Sequence, residues 1–195
     1  VTFSDSAAAI HERKYTEAEV SAKNLSLNAG NTIILSGASL KADEKAELTA
    51  GKDIRLTAEK DLYAEDASVG KRKGSYYQRL KTEDEAVKGT LISSEGEVRL
   101  KAGEDISLKG SGITSEKGKI FLTAGKDISM MDEKEHHETI HEYHSHVSGL
   151  FSSKTKDLYE AGETDTVRGS LISGNETHME SGRDMNITGS AVVSN

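Results

Sequence analysis

Apolar residues in this chain stand two apart in short runs. Five such runs follow a glycine: Ile33 and Leu35 after Gly30, Ile54 and Leu56 after Gly51, Ile106 and Leu108 after Gly103, Ile128 and Met130 after Gly125, and Met185 and Ile187 after Gly182. A spacing of two puts both side chains on one face of a β-strand. A second run precedes each glycine: Leu25 and Leu27, Ala46 and Leu48, Val98 and Leu100, Ile120 and Leu122, with Thr177 and Met179 as the weakest match. A third follows seven residues after three of the glycines, as Gly37-Ala38-Ser39-Leu40, Gly110-Ser111-Gly112-Ile113 and Gly189-Ser190-Ala191-Val192. Three short strands per unit, joined at glycine corners, predict an all-β fold, a right-handed parallel β-helix. Gly30 to Gly51 is 21 residues and Gly103 to Gly125 is 22, so each coil takes about 21 residues, a solenoid period.

Two coils depart from the pattern. Seven residues after Gly51 and Gly125 stand Ala58 and Asp132 instead of glycine. The missing third strand resumes later, as Gly89-Thr90-Leu91-Ile92-Ser93 and Gly169-Ser170-Leu171-Ile172-Ser173. Residues at about 59–88 and 132–168 are therefore expected as excursions between the second and third strands of a coil. Long structureless loops are uncommon in compact domains, which favours β-hairpin-like arms. Asp132 and Glu133 could also open a helix over 132–147. The remainder reads as a single β-helix, 1–195, expected to be a fragment of a longer protein. Val1 is not an initiator methionine, and the chain stops at Asn195 inside a third-strand signal with no polar cap.

Composition narrows the function classes. Leu, Ile, Val and Phe number 39 of 195 residues, near the lower limit for a folded chain, so few apolar residues must be placed efficiently. A repeating column does this, because each residue is buried against its equivalent in the next coil. Pro is absent, as interior strands require, since proline has no N–H for the ladder. Cys is absent too, which removes disulfides, thiolate metal sites and cysteine nucleophiles. No apolar run approaches the 18 residues of a membrane helix, so no transmembrane segment is expected. The net charge of -8 and the lack of a basic patch argue for no nucleic acid partner.

The recurring Ala-Gly-x-Asp-Ile-x-Leu, the Leu-Thr-Ala-Gly-Lys-Asp-Ile runs at 48–54 and 122–128, and Gly-Ser-Leu-Ile-Ser at 169–173 resemble haemagglutinin repeats. His136-His137-Glu138 leading to Ser148-Gly149-Leu150-Phe151 shares the resemblance. Such repeats belong to two-partner-secretion exoproteins of Gram-negative bacteria, a group that includes filamentous haemagglutinin and the CdiA-type proteins of contact-dependent growth inhibition. The order of coil motif, excursion and coil motif is closest to the second repeat region of the CdiA type. The excursions depart from that region in lacking its glycine-rich stretches. The resemblance implies a secreted or cell-surface β-helix, exported by an outer-membrane secretion partner and meeting a target-cell surface. It implies no catalysis and no cofactors here.

Several residue groups could carry chemistry. Asp53, Asp105, Asp127 and Asp184 recur two residues after the corner glycine, and stacked coils would align them. Such a column suits a Ca²⁺ ladder or a glycosidase-like cluster, or simply aspartates that bond backbone N–H groups in turns. The Gly-Gly-x-Gly-x-Asp repeat of Ca²⁺-binding β-rolls is absent, which favours the corner role. Five of seven histidines fall in one stretch: His136, His137, His141, His144 and His146. On a strand, His144 and His146 share a face and form a weak candidate metal pair; on a helix, His137, His141 and His144 do so instead. The same cluster could respond to pH. Tyr76, Tyr77 and Arg79 form a candidate partner-contact patch, or a cover over the solenoid flank. No nucleophile motif is present. Two classes of function fit: a structural segment of a secreted filament, for adhesion or delivery of a C-terminal toxin, and a carbohydrate-binding or carbohydrate-cleaving β-helix of the lyase or tailspike kind. The even spread of acids along the corners favours the first.

Overall fold

The computed structural model describes residues 5–72 and 74–194. It forms two compact units. One comprises Tyr15–Lys60, Val87–Lys134 and the chain from Val167 onward; the other comprises the described residues up to Lys14, Asp61–Ala86 and Glu135–Thr166. Every described element is a strand.

The first unit is a parallel β-helix. The post-glycine strands Ile33–Ser36, Ile54–Thr57, Ile106–Lys109, Ile128–Met131 and Met185–Ile187 stack in chain order as one parallel sheet. Their register aligns Ile33, Ile54, Ile106, Ile128 and Met185 in one column, and Leu35, Leu56, Leu108, Met130 and Ile187 in the next. Ile54, Leu56, Ile106, Leu108, Ile128 and Met130 are fully buried, as the spacing predicts. The pre-glycine strands align Leu25, Ala46, Val98, Ile120 and Thr177, and beside them Leu27, Leu48, Leu100, Leu122 and Met179.

The third-strand ladder settles the excursions. Leu40, Ile92, Ile113, Ile172 and Val192 lie in one column. The strands Leu91–Ser94 and Leu171–Gly174 therefore occupy the places that the delayed glycine motifs assign to them. Each excursion is a pair of consecutive, neighbouring strands: Glu59–Gly70 with Tyr76–Lys88, and Glu133–Ser148 with Ser153–Arg168. The stretch that also admits a helix is strand. One coil element lies outside the sequence expectation. Ala18–Ala29 and Ala38–Ala50 run straight through the third-strand and first-strand positions, placing Val20 beside Leu40 and merging the two ladders into one nine-stranded sheet.

Close approach of backbones fixes the corner glycines. A Cβ on Gly51, Gly103, Gly125 or Gly182 would lie 2.1–2.2 Å from the carbonyl oxygen of the corner glycine in the preceding coil. Gly30 has no atom within 4 Å of that position. At the next corner the requirement is conformational: Gly37, Gly110 and Gly189 have φ of 53°, 55° and 57°, the left-handed region. Ala58 and Asp132, at the equivalent places, need no such φ because the chain leaves there into a hairpin.

A ladder of hydroxyls, buried at Thr90, Ser111 and Ser170, closes four of the coils, and Ala38 holds the equivalent place in the first. Ala38 N–H donates to Thr90 Oγ1, Thr90 N–H to Ser111 Oγ, Ser111 N–H to Ser170 Oγ and Ser170 N–H to Ser190 Oγ, all at 3.2–3.3 Å. The same hydroxyls donate to the carbonyl that ends the second strand. Thr90 reaches Thr57 O at 2.8 Å and Ser170 reaches Met131 O at 2.7 Å across a hairpin insertion, while Ser111 reaches Lys109 O at 2.9 Å across a plain corner.

Two stability outcomes follow, each read by thermal or urea unfolding. Gly103→Ala forces a methyl group into a backbone oxygen and should cost about 1–3 kcal/mol, whereas Gly30→Ala should leave the midpoint unchanged. Ser170→Ala leaves the buried Ser111 N–H without its acceptor, at about 1–3 kcal/mol, while the Met131 carbonyl keeps its bond from Gly110 N–H.

Candidate functional site

The hairpins collect the chemically richest side chains. With Ser6–Arg13 they form a five-stranded sheet in the order Ser6–Arg13, Glu59–Gly70, Tyr76–Lys88, Glu133–Ser148, Ser153–Arg168. Ser6–Arg13 pairs antiparallel with Glu59–Gly70, and Tyr76–Lys88 pairs antiparallel with Glu133–Ser148. Polar residues occupy both faces of these strands, so cross-strand pairs rather than a buried core hold this unit together. Gly70, at φ 86°, opens the first turn, where a Cβ would meet Tyr76 O at 2.3 Å. The second turn closes through Gly149 N–H to Ser152 O at 2.7 Å and leaves Leu150 and Phe151 exposed at its tip.

Arg79 is the central cation. Its Nε and Nη2 donate to the two carboxylate oxygens of Asp66 at 2.8 and 2.6 Å, and Nη1 lies 3.9 Å from Glu142. The guanidinium holds the Asp66 carboxyl below the usual carboxylate range. Arg72 reaches Glu142 at 3.4 Å, and Lys81 bonds Glu138, which raises the lysine. Tyr76 packs edge-on against Tyr143 with centroids 5.8 Å apart, and Tyr77 lies opposite His144 in the ladder. The candidate contact residues Tyr76, Tyr77 and Arg79 thus sit on one central strand, with Arg79 and Tyr76 engaged within the sheet.

All five clustered histidines lie on Glu133–Ser148, and each has a partner on a neighbouring strand. His136 Nδ1 is 2.9 Å from Asp165, His137 Nδ1 is 3.1 Å from Asp84, and His141 Nδ1 is 3.8 Å from Glu160. His144 bonds Asp157, and His146 Nδ1 is 2.8 Å from Thr155 Oγ1. His144 and His146 each turn to a separate residue of Ser153–Arg168. Among the described residues no three of His, Asp and Glu converge in a way that could hold a metal ion.

In the coils the aspartate column takes up backbone donors. The N–H of Asp105 donates to Asp53 at 3.4 Å, that of Asp127 to Asp105 at 3.1 Å and that of Asp184 to Asp127 at 3.1 Å. Each carboxylate thereby ties its corner to the next coil, and the Arg183 fork on Asp127 holds that carboxyl low. A second feature escaped the sequence reading. Phe121 lies between the Arg99 guanidinium, 4.5 Å from its centroid, and the His178 ring, stacked at 5.3 Å. These residues are neighbours only through the register of adjacent coils. An open cleft of about 380 Å³ on the third-strand ladder is bordered by Lys88, Arg168, Thr114 and Leu171, with Glu17 as its one carboxylate.

The hydrogen bond that the His136 ring donates to the Asp165 carboxylate raises the imidazole above its ordinary value. The sign for stability follows. A group whose folded value is raised contributes stability that is fully present below about pH 6.5 and is lost as pH rises through the folded value. An NMR titration should place the His136 midpoint above that of a solvated histidine, and Asp165→Asn should return it to the ordinary range. An unchanged midpoint in the variant would remove Asp165 as the cause.

Comparison with curated proteins and with solved structures returned no match. The profile of the hemagglutinin repeat matches residues 2–72 and 67–195, which together span all but the first residue. With its parallel coils, in-register columns and corner glycines, the chain belongs to the hemagglutinin-repeat family.

Proposed function

We propose that this chain is a non-enzymatic structural segment of a large secreted surface filament of a Gram-negative bacterium, serving cell contact or delivery of a C-terminal toxin to neighbouring bacteria. The observation that carries the reading is the unbroken parallel ladder, in which Ile54, Ile106 and Ile128 repeat in register. Such a ladder can be extended coil by coil without redesign, at about 4.8 Å per coil. The family match supports a secreted, adhesin-type setting and export through an outer-membrane partner. Contact with a target-cell surface falls to the hairpin sheet, which carries Tyr76, Tyr77 and Arg79 and the exposed tip at Leu150 and Phe151.

Modularity gives the test. Ile92 and Ile172 are equivalent residues, so deletion of residues 92–171 removes two coils and one hairpin and joins Leu91 to Ile172. The parent protein carrying this deletion should still reach the cell surface when its outer-membrane partner is present, with the filament shorter by about 10 Å. Release of reducing sugar from polysaccharides by the intact chain would favour the carbohydrate-processing reading instead. Loss of export on deletion would show that the segment is more than a spacer.

A further inference from the structure

The hairpins dock on one another in a fixed register, and that register identifies an open binding edge. Val20, Ile92 and Ile172 share one column of the third-strand ladder, so the strands that return into it correspond at intervals of 72 and 80 residues. Ile54 and Ile128 share a column of the second-strand ladder, so the strands that leave it correspond at an interval of 74. These two relations connect the two pairings seen between hairpins. Glu12 lies opposite Tyr63. Moving Glu12 by 72 gives Asp84 and moving Tyr63 by 74 gives His137, and Asp84 lies opposite His137. Ser6–Arg13 therefore sits on Glu59–Gly70 as Tyr76–Lys88 sits on Glu133–Ser148: it occupies the place of a returning hairpin strand. Moving Lys88 by 80 gives Arg168, which ends Ser153–Arg168.

We propose that the free edge of Ser153–Arg168 is a strand-accepting site whose occupant is the outgoing strand of another hairpin of this same repeat type, docked antiparallel in that register. Ser153–Arg168 is the outermost strand of the sheet, and all of its residues are exposed. The pairing of Tyr76–Lys88 with Glu133–Ser148 is an interface of this kind within the chain, and the edge continues it. The register sets Leu158 opposite the incoming equivalent of Tyr143 and Tyr159 opposite the equivalent of Glu142, as Gln78 and Arg79 are placed now. Charge supports the fit. In the same register Asp157, Glu160 and Asp165 face the incoming equivalents of His144, His141 and His136. The chain already makes these three acid–histidine contacts on the other edge of Ser153–Arg168. The edge thus fits a histidine-bearing strand with the sequence pattern of 133–148. Main-chain bonds supply affinity in such strand addition, and alternate side chains supply selectivity. This inference goes beyond the filament reading, since it concerns the hairpin sheet whatever the filament carries.

The absence of cysteine from the chain makes the register directly testable. The whole chain with Leu158→Cys is mixed with a synthetic peptide of residues 133–148 carrying Tyr143→Cys, and disulfide formation is followed in a mild redox buffer. Tyr159→Cys with a Glu142→Cys peptide is run beside it. Adjacent antiparallel positions alternate between hydrogen-bonded and non-hydrogen-bonded pairs, so one of the two has the closer geometry. At least one matched pair should cross-link tenfold or more above a Glu138→Cys peptide, and N-methylation of alternate peptide amides should abolish the difference. Hydrogen exchange on the unsubstituted chain should slow within Ser153–Arg168 when the unsubstituted peptide is added. Equal cross-linking of matched and mismatched peptides, protection elsewhere on the chain, or no binding would each overturn the proposal. Loss of export in the deletion test would leave this result untouched, so the two ideas fail separately.

Discussion

The structure depends on one interaction, the parallel main-chain ladder between successive coils. Once the backbones are in register, each side chain meets its own equivalent above and below. Ile106 lies between Ile54 and Ile128, and Leu100 between Leu48 and Leu122. Burial of each such side chain contributes about 1.5–3 kcal/mol. A chain with so few large apolar residues can therefore close a core, because every one lies on a shared axis. The same ladder dictates the glycines. Carbonyls at the corner pack directly on the backbone of the next coil, which leaves no room for a Cβ at Gly51, Gly103, Gly125 or Gly182.

A second constraint follows from the first. The ladder tolerates an insertion only if the coil can close around it. Thr90 and Ser170 provide that closure by bonding the carbonyls of Thr57 and Met131, the last positions before each hairpin. Ser111 and Ser190 make the corresponding bond in coils without an insertion. The closure at these four positions is thus the same whether two residues or between thirty and forty separate the strands. Loop-closure entropy grows only logarithmically with length, so long insertions at this corner add little cost. The hairpins can vary without altering the columns.

Sequence alone revealed the coils because their signals are local. The period of two, the corner glycine and the delayed motifs at Gly89 and Gly169 assign nearly every coil strand. Val20 was missed because Ala18–Ala29 lacks a glycine before its third-strand part, so only its pairing with Leu40 reveals its place. The hydroxyl ladder was hidden for a different reason. Ser and Thr are abundant, and only stacking singles out Thr90, Ser111, Ser170 and Ser190. The histidine stretch was visible as a cluster, but its partners are supplied by register. His136 finds Asp165 and His137 finds Asp84 on opposite neighbouring strands, which a strand polar on both faces does not announce. The stack of Arg99, Phe121 and His178 follows the same rule, since its members are more than twenty residues apart in the chain.

The two units are therefore stabilised by different physics. In the coils the decisive contacts are apolar and fully buried, and salt or proton concentration acts on them weakly. In the hairpin sheet they are cross-strand ion pairs and histidine–carboxylate bonds at half-exposed positions, such as Arg79 with Asp66 and His136 with Asp165. Exposed pairs of this kind are individually weak and screened within about 10 Å at ordinary ionic strength. Their value lies in specificity: each pair favours one register over its neighbours, because a one-residue slip carries every side chain to the opposite face. The hairpins can thus recognise one another through charge placement, while the coils keep a length and spacing that do not depend on it.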